Sequence, residues 1–312
     1  MFDIACVGLL VADVIIKPVS SLPKKGLSKL VDSIQLFSGG NAMTAAINAS
    51  RMGMKTALCG KIGNDFFGKF LKEILEVNDV DCSSLTVDQQ TQTSASIVIS
   101  DPDGERSFLH CMGSNGTFSI NDINWDIIAQ SDIIFFTGSF LMDSFDGEPN
   151  RIFLQKCKEM GKTTALDVSW DSNGRWSSLL LPVLKYVDFF LPSLDEAREI
   201  AGTSDLEEMA KKFIEAGVKI PVIKLGKEGC YFFENNSGTV VPPCTNIAAV
   251  VDTTGAGDSF CSGFLTAYVK GMSLLDCVRF ANAAGALTVS VQGATTAIKN
   301  YDEVFKVMKL NY

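Results

Sequence analysis

The stretch VDTTGAGDSF, Val251–Phe260, places two glycines and an aspartate between the strand-like run IAAVVD and an apolar, helix-like run. Small residues at a helix start leave backbone N–H groups accessible, and the helix dipole adds partial positive charge there. The turn at residues 255–257 therefore predicts an anion site suited to a phosphoryl group. A carboxylate repels an anion, so Asp258 indicates a second role, as the base that accepts a proton from an attacking hydroxyl. The alternative for so short a motif is that Asp258 and Ser259 only cap the helix.

A second glycine-rich turn, FSGGNAMTAAINASRMG at Phe37–Gly53, also lies between a strand-like run and a helix-like run. Glycines let a ligand approach the backbone, and Asn41 and Thr44 offer the hydrogen bonds that a polyol needs. Taken alone, Gly-Gly could equally be a plain turn. Two such turns far apart in sequence are better explained by one site for two substrates.

The elements that must position these turns alternate along the chain. Short apolar runs such as IACVGLL and DIIFFTG alternate with longer amphipathic runs such as FGKFLKEILEV. This pattern predicts an α/β fold with a mostly parallel sheet and helices on both faces. Glycines are expected to end helices at about 41–52, 150–160, 194–201 and 205–216, namely Gly53, Gly161, Gly202 and Gly217.

Two segments interrupt the alternation and predict a small β-layer. Thr93–Cys111 alternates in polarity across a DPDG turn, which is typical of a β-hairpin, and Lys17–Phe37 ends in the alternating tail KLVDSIQLF. A small sheet beside a large α/β domain would act as a lid over the ligand crevice. The alternative is a surface hairpin without a gating role.

Composition excludes several classes of function. The 312 residues carry a formal net charge of −9, which argues against nucleic acid or an anionic membrane as the main partner. Nine scattered cysteines without a CxxC pair and a single histidine, His110, give no zinc spacing and almost no room for histidine catalysis. Together with an apolar start that lacks basic residues, this predicts a cytoplasmic protein.

Eight sequence segments, in order along the chain, closely resemble motifs of the ribokinase-like, PfkB-type carbohydrate kinases. They are VGLLVAD, SGGNAMTAA, GKIGNDFFG, DPDGERSF, LDEAREIAG, LGKEG, DTTGAGDSF and NAAGALTVSVQGA, and they span nearly the whole chain. The resemblance implies a single ribokinase-like domain over residues 1–312, with a central, mostly parallel sheet and a β-lid at about 14–37 and 91–114. In many members the lid also mediates dimerisation, so a homodimer through the lid is expected.

The resemblance also implies ATP and Mg²⁺, and it assigns roles to individual residues. Asp258 is similar to the family's catalytic base, and Gly255, Ala256 and Gly257 to its anion hole. Glu196 occupies the position of the Asn-x-x-Glu glutamate that organises Mg²⁺ and phosphate indirectly. Further positions match the nucleotide side (Ser193, Lys224, Gly226, Gly229, Asn282, Gly293), a site for a monovalent cation such as K⁺ (Asp252, Thr254) and the acceptor side (Asp13, Gly39, Gly40, Asn41).

Several positions depart from the family pattern. Ser193 replaces the asparagine of Asn-x-x-Glu, while Val11 and Thr44 replace polar residues of the acceptor pocket, which puts ribose in doubt as the acceptor. Arg106 and His110, on the hairpin, could meet a polar or acidic acceptor. The hypothesis is an ATP-dependent kinase for a primary hydroxyl of a sugar or sugar derivative. The alternatives are a kinase for a nucleoside or a vitamin-like alcohol, or a non-catalytic sugar or nucleotide sensor.

Overall fold

The structure is a computed structural model that describes residues 1–101, 106–247 and 249–312, and only the backbone of Arg106. The DPDG turn of the predicted hairpin therefore lies mostly outside the described residues. The strands are β1 (Phe2–Gly8), β2 (Val11–Lys17), β3 (Ser33–Gly39), β4 (Thr56–Gly63), β5 (Leu85–Asp88), β6 (Ala95–Ser100), β7 (Arg106–Cys111), β8 (Ser131–Ser139), β9 (Thr163–Val168), β10 (Phe189–Phe190), β11 (Ile220–Lys224), β12 (Cys230–Glu234) and β13 (Ser237–Val241).

Most of the helices lie between successive strands, as the alternation of apolar and amphipathic runs predicted. They are α1 (Asn41–Arg51), α2 (Phe66–Glu76), α3 (Gly113–Thr117), α4 (Trp125–Ala129), α5 (Glu148–Glu159), α6 (Trp176–Leu184), α7 (Leu194–Ala201), α8 (Leu206–Glu215), α9 (Ala256–Val269), α10 (Leu274–Thr288) and α11 (Tyr301–Asn311). The four expected helix-ending glycines follow α1, α5, α7 and α8, and all four have positive φ angles, between 65° and 106°. Glycine adopts this conformation without the strain that a Cβ would add, so these predicted helix ends are confirmed.

Nine strands form the large sheet, in the order β13-β12-β11-β10-β9-β8-β1-β4-β5. Pairing is parallel from β11 through to β5, whereas β12 and β13 continue the sheet antiparallel. Neighbouring residues of β1 point to opposite faces: Ile4 and Cys6 join one apolar core, while Ala5 and Val7 join the other. Helices cover both faces, which confirms the predicted fold class.

The second sheet has four strands in the order β3-β2-β6-β7. The predicted hairpin is its β6–β7 pair, and β3 contains the last five residues, SIQLF, of the alternating tail of Lys17–Phe37. The sheet also takes in β2, which begins at Val11, ahead of the expected boundary near residue 14. One register row of this lid sheet is Phe37–Asp13–Ser96–His110, and the adjacent row is Leu36–Val14–Ile97–Leu109. Because side chains alternate along a strand, the two rows face opposite sides of the lid.

One predicted strand is absent from the part of the chain described here. The described residues of the run IAAVVD, 247 and 249–252, form no strand before the GAGD turn, and Val250 and Val251 are exposed. Val251 instead donates its backbone N–H to the carbonyl of Val289, at the end of α10. β-branched residues favour strands only where a neighbouring strand or core covers them. Among the described helices, none combines the length and the apolar character that crossing a membrane requires.

Candidate active site

The GAGD turn begins α9. Gly255 precedes the helix at φ 74°, and a Cβ there would lie 2.3 Å from the Cβ of Ala294. The turn therefore requires glycine at this position for two independent reasons. The N–H of Ala256 already donates to the carbonyl of Thr253 at 3.3 Å. The N–H groups that follow it, at Gly257 and Asp258, are thus the better candidates for anion donors.

Asp258 lies in the first turn of α9 and is partly buried. Burial raises the pKa of its carboxyl to about 7; the charge of Asp167 adds to the rise, while Lys224 and a hydrogen bond from Asn41 oppose it. That hydrogen bond joins Asn41 Nδ2 to Asp258 Oδ1 at 3.0 Å. A carboxyl with a pKa near neutral pH is suited to accept and release a proton. The two glycine-rich turns predicted to share one site therefore meet at this contact.

Two cavities converge on that contact. The larger, of about 700 Å³, extends along the carboxyl ends of the central strands, and the smaller, of about 180 Å³, lies under the lid sheet. Asn41 and Asp258 line both cavities. Ligands of open parallel sheets bind at the carboxyl ends of the strands. Two substrates in these cavities would approach each other at the Asp258 carboxylate.

The larger cavity contains a cluster of charged side chains. Lys224 Nζ lies 2.8 Å from Asp167 Oδ1, and Glu196 and Asp258 line the same walls. Burial alone would lower the pKa of Lys224, but the negative charges around it, chiefly that of Asp167, raise it, so this lysine stays protonated. Burial raises the pKa of Glu196, with Asp167 adding to the rise. Three carboxylates around one lysine favour additional bound cations.

Ser193 and Glu196 form a reciprocal cap at the start of α7. The Ser193 N–H donates to Glu196 Oε2 at 2.7 Å, and the Glu196 N–H donates to the Ser193 hydroxyl at 3.4 Å. A serine is well suited to such a cap. This role accounts for the serine in place of the family's asparagine, and it fixes the Glu196 carboxylate at the cavity wall. An oxygen ligand of this kind fits Mg²⁺, which usually binds through few carboxylates, water and substrate phosphates.

The smaller cavity is polar on the lid side. Asp13, Ser96 and His110 lie opposite one another on β2, β6 and β7, and Ser96 Oγ is 3.0 Å from His110 Nδ1. Burial raises the pKa of Asp13 to about 6, although a hydrogen bond with Ser96 lowers it in part. Burial also lowers the pKa of His110, which favours a neutral ring. The remaining lining combines the apolar side chains of Leu9, Val11, Met112 and Leu141 with Gly40 and the polar side chains of Asn41, Asn115 and Asp258.

The sequence and fold of this chain are similar to those of known sugar kinases. The model of the pfkB family of carbohydrate kinases matches residues 1–300. The chain belongs to this family. A probable fructokinase-2 of Arabidopsis thaliana is 31% identical over 292 residues, with 87% of each chain covered. An uncharacterized sugar kinase of Archaeoglobus fulgidus is 29% identical over 245 residues, covering 78% of this chain and 95% of that one. The structure of an Arabidopsis thaliana ribokinase complexed with ribose and ATP has a TM-score of 0.86 at 27% identity, with 99% of both chains covered.

Membership of the pfkB family confirms the predicted carbohydrate kinase with ATP as phosphoryl donor, and it does not favour a nucleoside kinase or a non-catalytic sensor. Most of the residues assigned by resemblance line the two cavities. On the nucleotide side these are Ser193, Glu196, Lys224, Gly226, Gly229, Asn282 and the turn at 255–257. On the acceptor side they are Asp13, Gly40, Asn41 and His110.

The structure places other predicted residues elsewhere. Thr44 is buried within α1 and lines neither cavity. Gly39 lies behind the acceptor cavity, where a Cβ would come 2.1 Å from Asp13 Oδ2, so its role is to leave room for that carboxylate. The Arg106 side chain lies outside the described part of the chain.

The predicted cation residues, Asp252 and Thr254, close a loop beside the larger cavity: Thr253, between them, lines that cavity, but they do not. Asp252 Oδ1 accepts hydrogen bonds from the N–H and hydroxyl of Thr254, and Asp252 Oδ2 accepts one from the N–H of Gly293. Gly293 thus supports this loop and does not line the nucleotide cavity. The Asp252 carboxylate ties the segment before α9 to the segment after α10.

Sequence reasoning missed three residues of the site, Asp167, Ser96 and Trp170. Asp167 comes one residue before the end of β9, in the buried run TTALDV, and a carboxylate at that end of a parallel strand is itself a signal. Ser96 depends on the pairing register of the lid, which the sequence does not give. Trp170 lies at the rim of the larger cavity, about half exposed, and its ring packs edge-on against Trp176.

Proposed function

We propose that this carbohydrate kinase transfers the γ-phosphoryl group of ATP to a primary hydroxyl of a small neutral sugar, with Asp258 as the base. The observation that carries the proposal is the position of Asp258, at the junction of the two cavities and in the first turn of α9. ATP would occupy the larger cavity, with its phosphates at the helix start. The sugar would occupy the smaller cavity.

The reaction follows from this arrangement. The hydroxyl oxygen of the sugar forms a bond to the γ-phosphorus, and its proton passes to the Asp258 carboxylate. The bond from that phosphorus to the bridging oxygen of ADP breaks, and the electron pair leaves with ADP. The N–H groups of Gly257 and Asp258 stabilise the charge on the transferred group. Asn41 holds the Asp258 carboxylate in place through its 3.0 Å hydrogen bond.

Glu196 would hold Mg²⁺ indirectly, through water, at the phosphate end of the larger cavity. When bound, Mg²⁺ would neutralise phosphate charge during the transfer. The capping contact with Ser193 orients Glu196 for this role. The monovalent cation near Asp252 and Thr254 stays a prediction, as does the cytoplasmic location.

The acceptor cavity supports a neutral sugar over a sugar acid. Its described side chains include two carboxylates, Asp13 and Asp258, and no lysine or arginine. The pKa of His110 is lowered by burial, so this ring is a weak partner for an anion at neutral pH. Asn115, which also lines the cavity, adds no charge, and its amide is oriented by hydrogen bonds with both backbone groups of Leu10. The volume of about 180 Å³ is below the range of about 300–1,000 Å³ that is usual for larger ligands, which disfavours a nucleoside.

The test is release of ADP from ATP and Mg²⁺ with a panel of acceptors. The panel contains fructose, ribose, other neutral pentoses and hexoses, sugar acids, phosphosugars and nucleosides. We expect turnover with one or more neutral sugars, and loss of that turnover in Asp258→Asn. Turnover with sugar acids alone would contradict the neutral acceptor, and full activity of Asp258→Asn would contradict the assigned base.

We also propose that the outer face of the lid forms a homodimer. The row Leu36–Val14–Ile97–Leu109 is apolar across all four strands; Leu36 packs against the core at one end, whereas the Ile97 and Leu109 side chains are 40% and 62% exposed. An exposed apolar strip of this kind favours association. Light scattering should give a mass twice that of one chain, and in Leu109→Lys it should give the mass of one chain. A monomeric wild-type protein at micromolar concentration would contradict the dimer.

A further inference from the structure

The Asp167–Lys224 pair lies across a break in the large sheet. Asp167 is near the end of β9 and Lys224 is the last residue of β11, and the two-residue strand β10 lies between these strands. Because β10 ends so early, Lys224 reaches over it to Asp167, with 2.8 Å between Nζ and Oδ1. Both residues line the larger cavity, where the Asp167 side chain is only 3% exposed and that of Lys224 is 13% exposed. The lysine is therefore the more accessible member of the pair for a ligand.

The Lys224 amine also lies directly beside the first turn of α9. A Cβ on Gly257 would be 3.5 Å from Lys224 Nζ, which is ordinary van der Waals contact. One turn further along the helix, Cys261 Sγ lies 3.8 Å from the same Nζ. The absence of a side chain at Gly257 thus leaves the ammonium group close to the N–H groups proposed to bind the phosphoryl group. An ammonium group has three N–H donors, and Asp167 and Cys261 take at most two.

We infer that Lys224 contacts the transferred phosphoryl group through Nζ and that Asp167 is a positioning residue that holds this amine at the start of α9. The inference rests on the proposed phosphoryl transfer and goes beyond it, because the resemblance gave Lys224 only a place in the nucleotide-side turn and gave Asp167 no role. While the bond to the bridging oxygen of ADP breaks and the bond to the sugar oxygen forms, negative charge lies on the phosphoryl oxygens. Lys224 provides a fixed positive charge beside those oxygens.

A purely structural ion pair is the competing explanation, and the chain contains a matched control for it. Lys158 Nζ lies 2.6 Å from Asp188 Oδ2, at the opposite end of the same strands, and that aspartate is 7% exposed. Lys158 lines neither cavity of the site. Lys158→Met therefore removes one ion pair of a buried aspartate, which keeps Lys219 as a partner, without removing charge from the site.

The experiment compares binding of Mg·ADP alone with binding of Mg·ADP plus aluminium fluoride, a mimic of the transferred phosphoryl group. Intrinsic tryptophan fluorescence, to which Trp170 at the cavity rim contributes with Trp125 and Trp176, reports binding, and no acceptor sugar is needed. In Lys224→Met we expect the tightening caused by aluminium fluoride to fall about tenfold or more, while the affinity for ADP stays within about threefold. Asp167→Ala should show the same loss, whereas Asp167→Asn, which keeps an oxygen acceptor for Nζ, should retain more of the tightening. Lys158→Met should behave as the wild type.

A Lys224→Met/Asp167→Asn double variant tests the inference even if a single variant unfolds, since it leaves no unpaired buried charge. It should fold and still lose the preference for aluminium fluoride. Three results would each overturn the inference. The first is an equal loss of affinity for Mg·ADP with and without aluminium fluoride in the variants. The others are variants in which aluminium fluoride tightens binding as much as in the wild type, and a wild type whose binding it does not tighten. Failure of the proposed function would show separately, as absence of sugar turnover in the wild type.

Discussion

The two ends of strands β9 to β11 carry similar ion pairs in different surroundings. At the amino ends, Asp188 accepts from Lys158 and from the N–H of Thr164, and Lys219 Nζ lies 2.5 Å from its other oxygen. At the carboxyl ends, Asp167 has one lysine, Lys224, beside it. The first carboxylate is surrounded by donors, while the second shares its single lysine with a cavity that contains two further acids.

The difference appears in the proton affinities. Burial alone would raise the pKa of Asp188, but its two lysines and the Thr164 N–H outweigh burial and leave the pKa below its ordinary value. At the other end, burial and the charge of Asp167 together raise the pKa of Asp258 to about 7. One end of the strands is arranged for stability. At the carboxyl end, the carboxylates outnumber the cationic side chains around them. This is typical of a site in which bound substrates and cations complete the charge balance.

The largest effect should come from the base at the carboxyl ends. In Asp258→Asn we expect kcat to fall about 10²- to 10⁴-fold, because the sugar hydroxyl loses its proton acceptor. In the wild type, kcat/KM should rise with pH up to about 7, since the carboxyl must be deprotonated to act as the base. Steady-state rates from pH 5.5 to 8.5 measure both. A wild-type rate that is flat over this range would contradict the assignment.

A smaller loss of catalytic efficiency, kcat/KM, should follow from a single methyl group under the lid. In Gly39→Ala the new Cβ would clash with Asp13 Oδ2, so the carboxylate must move away from the acceptor cavity. We expect KM for the sugar to rise about tenfold, the order of a lost hydrogen bond to a charged group. The control is Gly53→Ala, where a Cβ meets no neighbouring atom and only the positive φ causes strain. A similar KM in both variants would show that Asp13 does not bind the acceptor.

The smallest effect on turnover should come from the amino ends. Asp188→Ala should leave kcat unchanged but lower the free energy of unfolding by about 1–3 kcal/mol at pH 7, because a buried N–H and a lysine lose their partner. Since the pKa of Asp188 is lowered in the folded protein, its stabilisation is complete above the ordinary value and is lost as pH falls through the lowered one. Denaturant unfolding at pH 7 and near pH 3 should therefore show a smaller difference at acid pH. A loss of kcat would remove the distinction between the two ends.

Local sequence signals predicted much of the fold. Alternation of polarity located the β6–β7 hairpin, and glycine located four helix ends, because both depend on neighbouring residues. The run IAAVVD led to the wrong prediction of a strand, because no neighbouring strand or core covers its described residues. Thr44 misled for a similar reason: its neighbours in sequence line the acceptor cavity, but the turn of α1 carries it into the core.

The candidate site was predicted best where one loop supplies several groups. Gly255, Gly257 and Asp258 are adjacent in sequence, so spacing alone indicated their chemistry. Asp167 and Lys224 are 57 residues apart in the sequence. They meet only because the strand between β9 and β11 is just two residues long. Asp13, Ser96 and His110 come together because of the pairing register of the lid strands. A shift of that register by one residue would separate them.

The two rows of the lid sheet have a consequence for how such a kinase can change over time. Residues proposed to select the sugar and residues of the proposed dimer face alternate along the same strands, as Asp13 and Val14 or Ser96 and Ile97 do. An insertion or deletion of one residue in a lid strand would exchange the two faces. New sugar preferences are therefore expected to arise by substitution within the lid strands, and lineages that differ in acceptor should keep the lengths of those strands.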